Sequence, residues 1–181
     1  MKTHITRVLN FWFKDCEPKD WFKKDEYFDN EVKNDFGDLV EDALLGYLND
    51  WRKSLDGSLA LIILTDQFTR NIFRGTARSF YGDKLALDTC LHCLYSFDIG
   101  QQTKERSHFI LIPLMHSENL KIQEKSLPLF QEHTSEKVYA YALKHKNIIK
   151  KFGRFPHRNA ILGRTSKKSE IEFLQNSGSS F

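Results

Sequence analysis

The chain has 181 residues, of which 40% are hydrophobic, and a formal net charge of +3. This length suits one domain with a complete core, and the longest apolar run, residues 59–64, is far below the roughly 20 residues of a membrane-spanning helix. Three cysteines are too few and odd in number for a disulfide framework, and the first residues lack the pattern of a signal peptide. We therefore expect a soluble, cytoplasmic domain and no membrane partner.

Apolar residues recur at spacings of three and four along nearly the whole chain, without the sustained alternation of a half-buried strand. This pattern predicts an all-α fold. The predicted helices comprise residues 4–13, 25–36, 39–52, 58–69, 79–97, 103–118, 120–132, 135–152, 157–162 and 168–175. Short turns between them favour antiparallel hairpins, stacked either as a bundle or as a short solenoid. We expect one helical domain, residues 1–175, and a flexible tail, residues 176–181.

Capping residues and glycines predict where individual helices begin and end. Asp38 with Glu41 forms a capping-box pattern ahead of the third predicted helix, and Asp56 or Ser58 can cap the fourth. Four glycines follow periodic segments, where a residue in the left-handed conformation commonly ends a helix. They are Gly75, Gly100, Gly153 and Gly163.

Two patterns resemble metal or redox motifs, but each is better explained by structure. Cys90 and Cys93 form a CxxC pair inside a long helical segment with no second pair, so a buried pair of thiols is favoured over a zinc or redox site. In the motif PLMHSE, His116 and Glu118 are two residues apart and diverge on a helix, so a polar network is favoured there. No metal and no cofactor are expected.

Positive charge is concentrated in the last third of the chain. From Lys137 to Ser169 there are ten lysines and arginines and no acidic residue, whereas residues 14–56 have thirteen acids against seven bases. The basic segment either is neutralised by acidic residues of the same chain or binds an anionic partner. Both readings remain open at this stage.

The centre of the basic segment predicts an anion site at a turn. The helix before it should end at Gly153, and Pro156 can start a short helix. The free amides of residues 157–159 would then point from the positive end of that helix, close to Arg154 and Arg158. The anion would be either a phosphate or carboxylate ligand or one of the protein's own carboxylates.

His145 and Asp66 are the buried polar residues most open to a functional interpretation. His145 lies within an apolar stripe, as either a core histidine bonded to a backbone carbonyl or a ligand or proton carrier. Asp66 comes two residues after the apolar run 59–64 and lies four residues before Arg70, so a local ion pair is one reading. Because the helix is buried, we expect Asp66 to bond across to another element. We also expect residues 66, 70, 71 and 74 to meet the turn at residues 154–159.

The motifs NFWF, DQFTRNIFRG, PLMHSE and HKNIIKKFGRFPHRNAILGR, in this order, resemble those of the bacterial family called domain of unknown function 924. The resemblance covers about Val8 to Leu174. It implies an all-helical, tetratricopeptide-repeat-like arrangement, a right-handed stack of helical hairpins, and it brings no biochemical activity. It also implies a set of signature residues. These are Asp66, Arg70, Asn71, Arg74, His116, Glu118, His145, Arg154, Pro156, His157, Arg158, Asn159 and Arg164.

Three functions follow as hypotheses. The first is binding of a small anionic ligand, phosphate or carboxylate, in an Arg/His-lined pocket, with hydrolase or transferase-type acid/base chemistry. Its candidate catalytic residues are His116, His145 and His157. Its candidate ligand-binding residues are Asp66, Arg70, Asn71, Arg74, Glu118, Arg154, Arg158, Asn159 and Arg164. The second is a scaffold that binds acidic peptide segments, and the third, ranked last, is RNA binding.

Overall fold

The structure is a computed structural model that describes residues 2–176 and 178–179. Part of the predicted flexible tail, residues 177, 180 and 181, lies outside the described residues. Within the described part of that tail, the hydroxyl of Ser179 donates to the backbone oxygen of Leu174 at 3.1 Å.

All regular elements of the described residues are helical, which confirms the all-α class. The elements are α1 (Lys2–Asn10) with a π-helical continuation (Phe11–Asp15), α2 (Glu26–Leu44), a 3₁₀ turn (Asn49–Lys53), α3 (Leu55–Ile62) with a π-helical continuation (Ile63–Phe68), α4 (Thr69–Ile72), a 3₁₀ turn (Ala77–Phe80), α5 (Asp83–Ser96), α6 (Lys104–His116), α7 (Leu120–His133), α8 (Glu136–Phe152), a 3₁₀ turn (Pro156–Arg158) and α9 (Lys168–Leu174). None of the helices within residues 2–176 is long and apolar enough to cross a membrane.

Two helical segments lie at the centre of the core. In α3 and its π-helical continuation every residue from 57 to 68 is buried, and in α6 every residue from 107 to 115 is buried. α3 packs against α1, α5 and α6, and α7 packs between α6 and α8. Because only residues 117–119 and 134–135 join α6, α7 and α8, these helices form hairpins, as expected. The right-handed, tetratricopeptide-like arrangement of the hairpins stays a prediction.

The predicted break between the second and third helices is wrong. α2 runs through Gly37 and Asp38 because Phe36 and Val40 continue its buried stripe, and this packing outweighs the local capping preference of Asp38. The residue that caps α2 is Asp25, whose carboxylate accepts hydrogen bonds from two backbone amides in the first turn.

Three other boundaries differ from the sequence-based expectation. α3 begins at Leu55 with Ser54 as its cap, so neither Asp56 nor Ser58 has that function. The left-handed conformation occurs at Gly46, which was not predicted, and not at Gly100. The other three predicted glycines do have positive φ angles, and that of Gly153 ends α8.

The expected pair of buried thiols is confirmed. Cys90 and Cys93 lie on α5 as free, buried cysteines. Burial raises the pKa of both thiols, that of Cys93 to about 11, so both stay protonated at neutral pH.

A close approach at Gly82 fixes the start of α5 against the π-helical segment before α4. A Cβ added to Gly82 would lie 1.9 Å from the backbone oxygen of Thr65, so Gly82→Ala should lower the free energy of unfolding by about 1–3 kcal/mol. The matched control is Gly37→Ala in α2, where an added Cβ meets nothing within 4 Å and should raise stability by ~0.5–1 kcal/mol. Urea denaturation of both variants measures the difference. Equal effects would contradict the close contact.

Candidate functional site

A wholly buried carboxylate, that of Asp66, lies at the centre of the predicted site. The π-helical segment Ile63–Phe68 carries it, and its exposed fraction is 0%. Nδ1 of His116, at the end of α6, lies 2.9 Å from Oδ1 and 3.0 Å from Oδ2 of this carboxylate. Gln67 donates a side-chain hydrogen bond to Oδ2, and Nη1 of Arg70 lies 3.3 Å from Oδ1. The expected bond from Asp66 to another element is therefore confirmed by His116 on α6. The local ion pair with Arg70 is also present.

A second carboxylate, that of Asp83, joins two arginines from distant parts of the chain. Nη2 of Arg70 donates to its Oδ1 at 2.9 Å, and Nη1 of Arg158 donates to its Oδ2 at 2.8 Å. The Arg158 guanidinium also lies 4.7 Å from the ring centroids of both Phe80 and Phe155. Asp83 thus connects Arg70 to Arg158, so Arg70 meets the predicted turn through a shared carboxylate. Asp66 itself bonds instead to His116, Gln67 and Arg70.

The charges around Asp66 fix its protonation state and that of His116. Burial alone would raise the pKa of Asp66, but the Arg70 cation and the interactions with His116 outweigh it and hold that pKa well below its ordinary value. Burial lowers the pKa of His116, and the Arg70 and Arg158 cations lower it further against the opposing effect of Asp66. At neutral pH an ionised Asp66 therefore faces a neutral imidazole.

His116 opens on a cleft of about 250 Å³ between the start of α5, the end of α6 and the Pro156 turn. Its lining residues are Asp83, Lys84, Leu87, Pro113, His116, Ser117, Glu118 and Arg158. The His116 side chain is 15% exposed. Nδ1 faces the buried carboxylate of Asp66, so Nε2 lies on the side of the ring away from Asp66. Nη2 of Arg158 donates to the backbone oxygen of His116 at 3.2 Å and holds this end of α6 in place.

The other two candidate histidines are outside the lining of this cleft. His145 is 4% exposed, its Nδ1 donates to the backbone oxygen of Tyr141 at 2.8 Å, and its ring packs edge-on against Phe155 at 5.6 Å. This geometry matches the core-histidine interpretation. Burial lowers the pKa of His145 to about 3 and that of His157 to about 4, so both are neutral at pH 7.

Glu118 supplies the protein's own carboxylate at the predicted turn. Its Oε1 accepts a hydrogen bond from the backbone amide of Phe155 at 2.7 Å, and its Oε2 accepts one from Nη1 of Arg164 at 2.8 Å. Burial opposes ionisation of Glu118, but these hydrogen bonds prevail and lower its pKa. The sequence left two anions open for this turn, a bound ligand or one of the protein's own carboxylates. The structure has the second of these, the carboxylate of Glu118.

Arg154 is neutralised within the protein in the same way. Its Nε and Nη2 donate to the two carboxylate oxygens of Glu170, each at 2.7 Å, and Glu170 also accepts from the backbone amide of Lys167. These hydrogen bonds hold the pKa of Glu170 at about 2. Arg154 therefore anchors α9 to the turn and contributes nothing to the cleft.

The predicted helix at residues 157–162 is reduced to the 3₁₀ turn Pro156–Arg158. The backbone amides of Arg158 and Asn159 donate to the oxygens of Phe155 and Pro156 at 3.1 and 3.0 Å. The expectation that these two amides are free to bind an anion is therefore wrong, because the tighter turn uses them itself. The side chain of Asn159 donates to the hydroxyl of Ser166 at 3.1 Å and closes the following loop.

Asn71 and Arg74 do not reach the turn, which corrects the prediction for both. Nδ2 of Asn71 and Nη2 of Arg74 each lie 2.8 Å from Oδ1 of Asp29 in α2. α4 ends at Ile72, so the helical spacing that would have aligned Arg74 with Arg70 does not extend to it. These two residues tie α4 to α2 on another side of the molecule.

Sequence reasoning missed Asp83, Lys84 and Glu170. Asp83 and Lys84 were placed inside a predicted helix at residues 79–97, whereas α5 begins at Asp83. The available signal was Gly82 followed by an acidic residue, a pattern typical of a helix start. Within the described residues, no group of three or more His, Cys, Asp or Glu side chains is arranged to hold a metal ion.

Comparison with known proteins agrees with the resemblance carried by the motifs. Residues 8–178 match a family described as "Bacterial protein of unknown function (DUF924)". A solved structure of a protein of unknown function from Agrobacterium tumefaciens is 33% identical, with a TM-score of 0.91 over 96% of this chain and 98% of that chain. No curated protein matches the sequence. The chain belongs to the bacterial family of unknown function called domain of unknown function 924.

Proposed function

We propose that the cleft at His116 binds a small anionic ligand, a phosphate or a carboxylate, and supports acid/base chemistry of the hydrolase or transferase type. The observation that carries this proposal is that a neutral His116, hydrogen-bonded to Asp66, lines the same cleft as the exposed Lys84. A concave site with convergent polar groups and a histidine of shifted pKa is the arrangement expected of a binding or active site.

The charge balance of the cleft favours an anion. Four cations lie in or directly behind its wall and face three carboxylates. The cations are Lys84, Arg158, Arg70 and Arg164, and the carboxylates are Asp83, Glu118 and Asp66. Lys84 is exposed and is the member of this set that makes no ion pair with a residue of the described chain. Its ammonium group is the one that a ligand would engage.

The size of the cleft favours a small ligand. A cleft of about 250 Å³ has room for a phosphate or a short carboxylic acid. We place this activity in the cytoplasm, in keeping with the reduced cysteines.

A scaffold that binds acidic peptides is the second candidate. The arginines of the predicted site are already paired with internal carboxylates, which leaves lysines as the outward charge of the basic segment. Lys137, Lys144 and Lys151 are exposed and seven residues apart on α8, so they lie along one face of that helix. Such a face suits an acidic segment, and RNA binding ranks third because no recognised module accompanies it.

A ligand-dependent change in melting temperature tests the first candidate. Inorganic phosphate, acetate and succinate are added separately to the wild type and to Lys84→Met. At tenfold excess over its Kd, a ligand should stabilise the wild type by about 1.4 kcal/mol, and the variant should lose most of this gain because it lacks the unpaired cation.

The matched control is Lys33→Met, an exposed lysine on α2 away from the cleft, which should respond as the wild type does. If none of the three anions stabilises the wild type more than Lys84→Met, the cleft is not an anion site. Binding of an acidic peptide that is unchanged in Lys84→Met but lost when the three α8 lysines are neutralised would support the scaffold instead.

A further inference from the structure

We infer that His116 is the catalytic residue of the cleft, a general base acting through Nε2, that Asp66 is its positioning residue, and that the ligand is a small ester carrying a negative charge. The inference rests on the proposed function, because it assigns a reaction to the same cleft. It also selects one histidine from three.

The tautomer of His116 follows from its hydrogen bond. Nδ1 lies 2.9 and 3.0 Å from the two oxygens of Asp66, and an ionised carboxylate can only accept hydrogen bonds. Nδ1 must therefore carry the proton. In a neutral imidazole the lone pair then lies on Nε2, on the side of the ring away from Asp66, and His116 is one of the residues that line the cleft.

The carboxylate that holds His116 cannot rotate away. Asp66 is fully buried in a π-helical segment, and it accepts from Gln67 on Oδ2 while Arg70 lies next to Oδ1. π-helical turns inside α-helices occur frequently at functional sites. A fixed acceptor both orients the imidazole and stabilises the imidazolium that forms when Nε2 takes a proton.

His145 does not have this arrangement. Its Nδ1 donates to a backbone oxygen, which cannot compensate a positive charge as a carboxylate can, and the residue is 4% exposed beneath Phe155. His157 packs against the same phenylalanine and is not among the residues that line the cleft. A base must reach the proton that it removes, and among these histidines His116 is the one that lines the cavity.

The reaction consistent with this arrangement is hydrolysis by water. Nε2 of His116 removes a proton from a water molecule while the water oxygen forms a bond to the acyl carbon or the phosphorus of the ester. The bond from that centre to the leaving oxygen breaks, and the leaving oxygen takes the proton from the imidazolium, which restores the neutral ring. Lys84 binds the negative charge of the ester, and the Arg158 cation lies beside the site where negative charge develops.

The protonation pattern of His116 is measured first and needs no ligand. Long-range ¹H–¹⁵N NMR spectra of the wild type at pH 7 should give a neutral His116 ring with its proton on Nδ1. In Asp66→Asn an amide that can donate to Nδ1 replaces the carboxylate that can only accept, so the proton should redistribute towards Nε2. A wild-type ring protonated on Nε2, or charged at pH 7, would overturn the assignment of His116 as the base.

Access to Nε2 is measured by acylation with diethyl pyrocarbonate, followed by peptide mapping. His116 should be modified in the folded protein, as should His4, which is exposed, whereas His145 should stay unmodified. Modification of His4 without modification of His116 would show that Nε2 does not face solvent. These two experiments test the base even if no anion binds, so their failure is distinct from failure of the proposed function.

The ester class is tested with p-nitrophenyl phosphate and mono-p-nitrophenyl succinate, which distinguish phosphoryl from acyl transfer. His116→Gln should reduce kcat for the cleaved substrate by about 10²–10⁴-fold with little change in KM, and His4→Gln should leave both unchanged. If Asp66→Asn does not fold, Gln67→Leu removes one donor to the same carboxylate and should lower kcat without abolishing it. Equal rates for the wild type and His116→Gln on both esters, including no rate for either, would overturn ester hydrolysis.

Discussion

Replacing Asp66 with alanine should lower the free energy of unfolding by about 3–5 kcal/mol. The change removes the carboxylate that accepts from His116 and pairs with Arg70, so a buried imidazole N–H loses its acceptor and the Arg70 guanidinium keeps only one of its two carboxylates, that of Asp83. Urea denaturation at pH 7 measures the effect through the midpoint at constant m-value.

The control for this prediction is Asp38→Ala, an exposed aspartate on α2 that does not cap a helix. It should change stability by no more than about 0.5 kcal/mol. A loss for Asp66→Ala as small as that of the control would mean that the buried ion pairs around Asp66 are not part of the stable fold.

Acidification from pH 7 to pH 5 should destabilise the protein, because several histidines are buried in the neutral form. Burial lowers the pKa of His108 to about 4, of His145 to about 3 and of His157 to about 4. Below the unfolded-state pKa of about 6.5 the unfolded chain takes up protons that the folded chain does not, so stability falls as the pH falls. Each such histidine contributes a loss on the order of 2 kcal/mol by pH 5.

Carboxylates extend the effect to lower pH. The pKa values of Asp66 and Glu170 are lowered in the folded state, to about 2 for Glu170, so the stability that they contribute is lost only as the pH falls below about 4. Urea midpoints at constant ionic strength between pH 7 and pH 5 should therefore report mainly histidines. His145→Gln should flatten this slope and His4→Gln should not. A midpoint independent of pH in this range would contradict the buried neutral histidines.

The periodic pattern predicted most of the helices because it depends on local chemistry. α7 and α8 lie within one or two residues of their predicted positions, since Asn119 and Ser135 cap them and Gly153 ends the second. The prediction split α2 because the capping pattern at Asp38 is a local signal. The burial of Phe36, which overrides that signal, depends on packing against other helices.

The site was predicted only in part, because local chemistry indicates which residues need partners but not which partners they find. Asp66 was expected to bond outside its own helix because a buried carboxylate needs partners, and His116 is that partner. The periodic pattern did not identify which partner Asp66 would have. It shows which face of a helix is buried, but not which residues pack against that face. Arg74 was therefore grouped with the turn, although it binds Asp29.

The sequence by itself determined the helical class, the burial of Asp66 and His145, and the concentration of positive charge near the C-terminus, because these depend on residue type and spacing along one segment. Only the tertiary structure decided that Asp83 and Glu170 neutralise the arginines and that His116 meets Asp66 at a cleft. The physical reason is that ion pairs and buried hydrogen bonds depend on distances of about 3 Å between residues far apart in the chain.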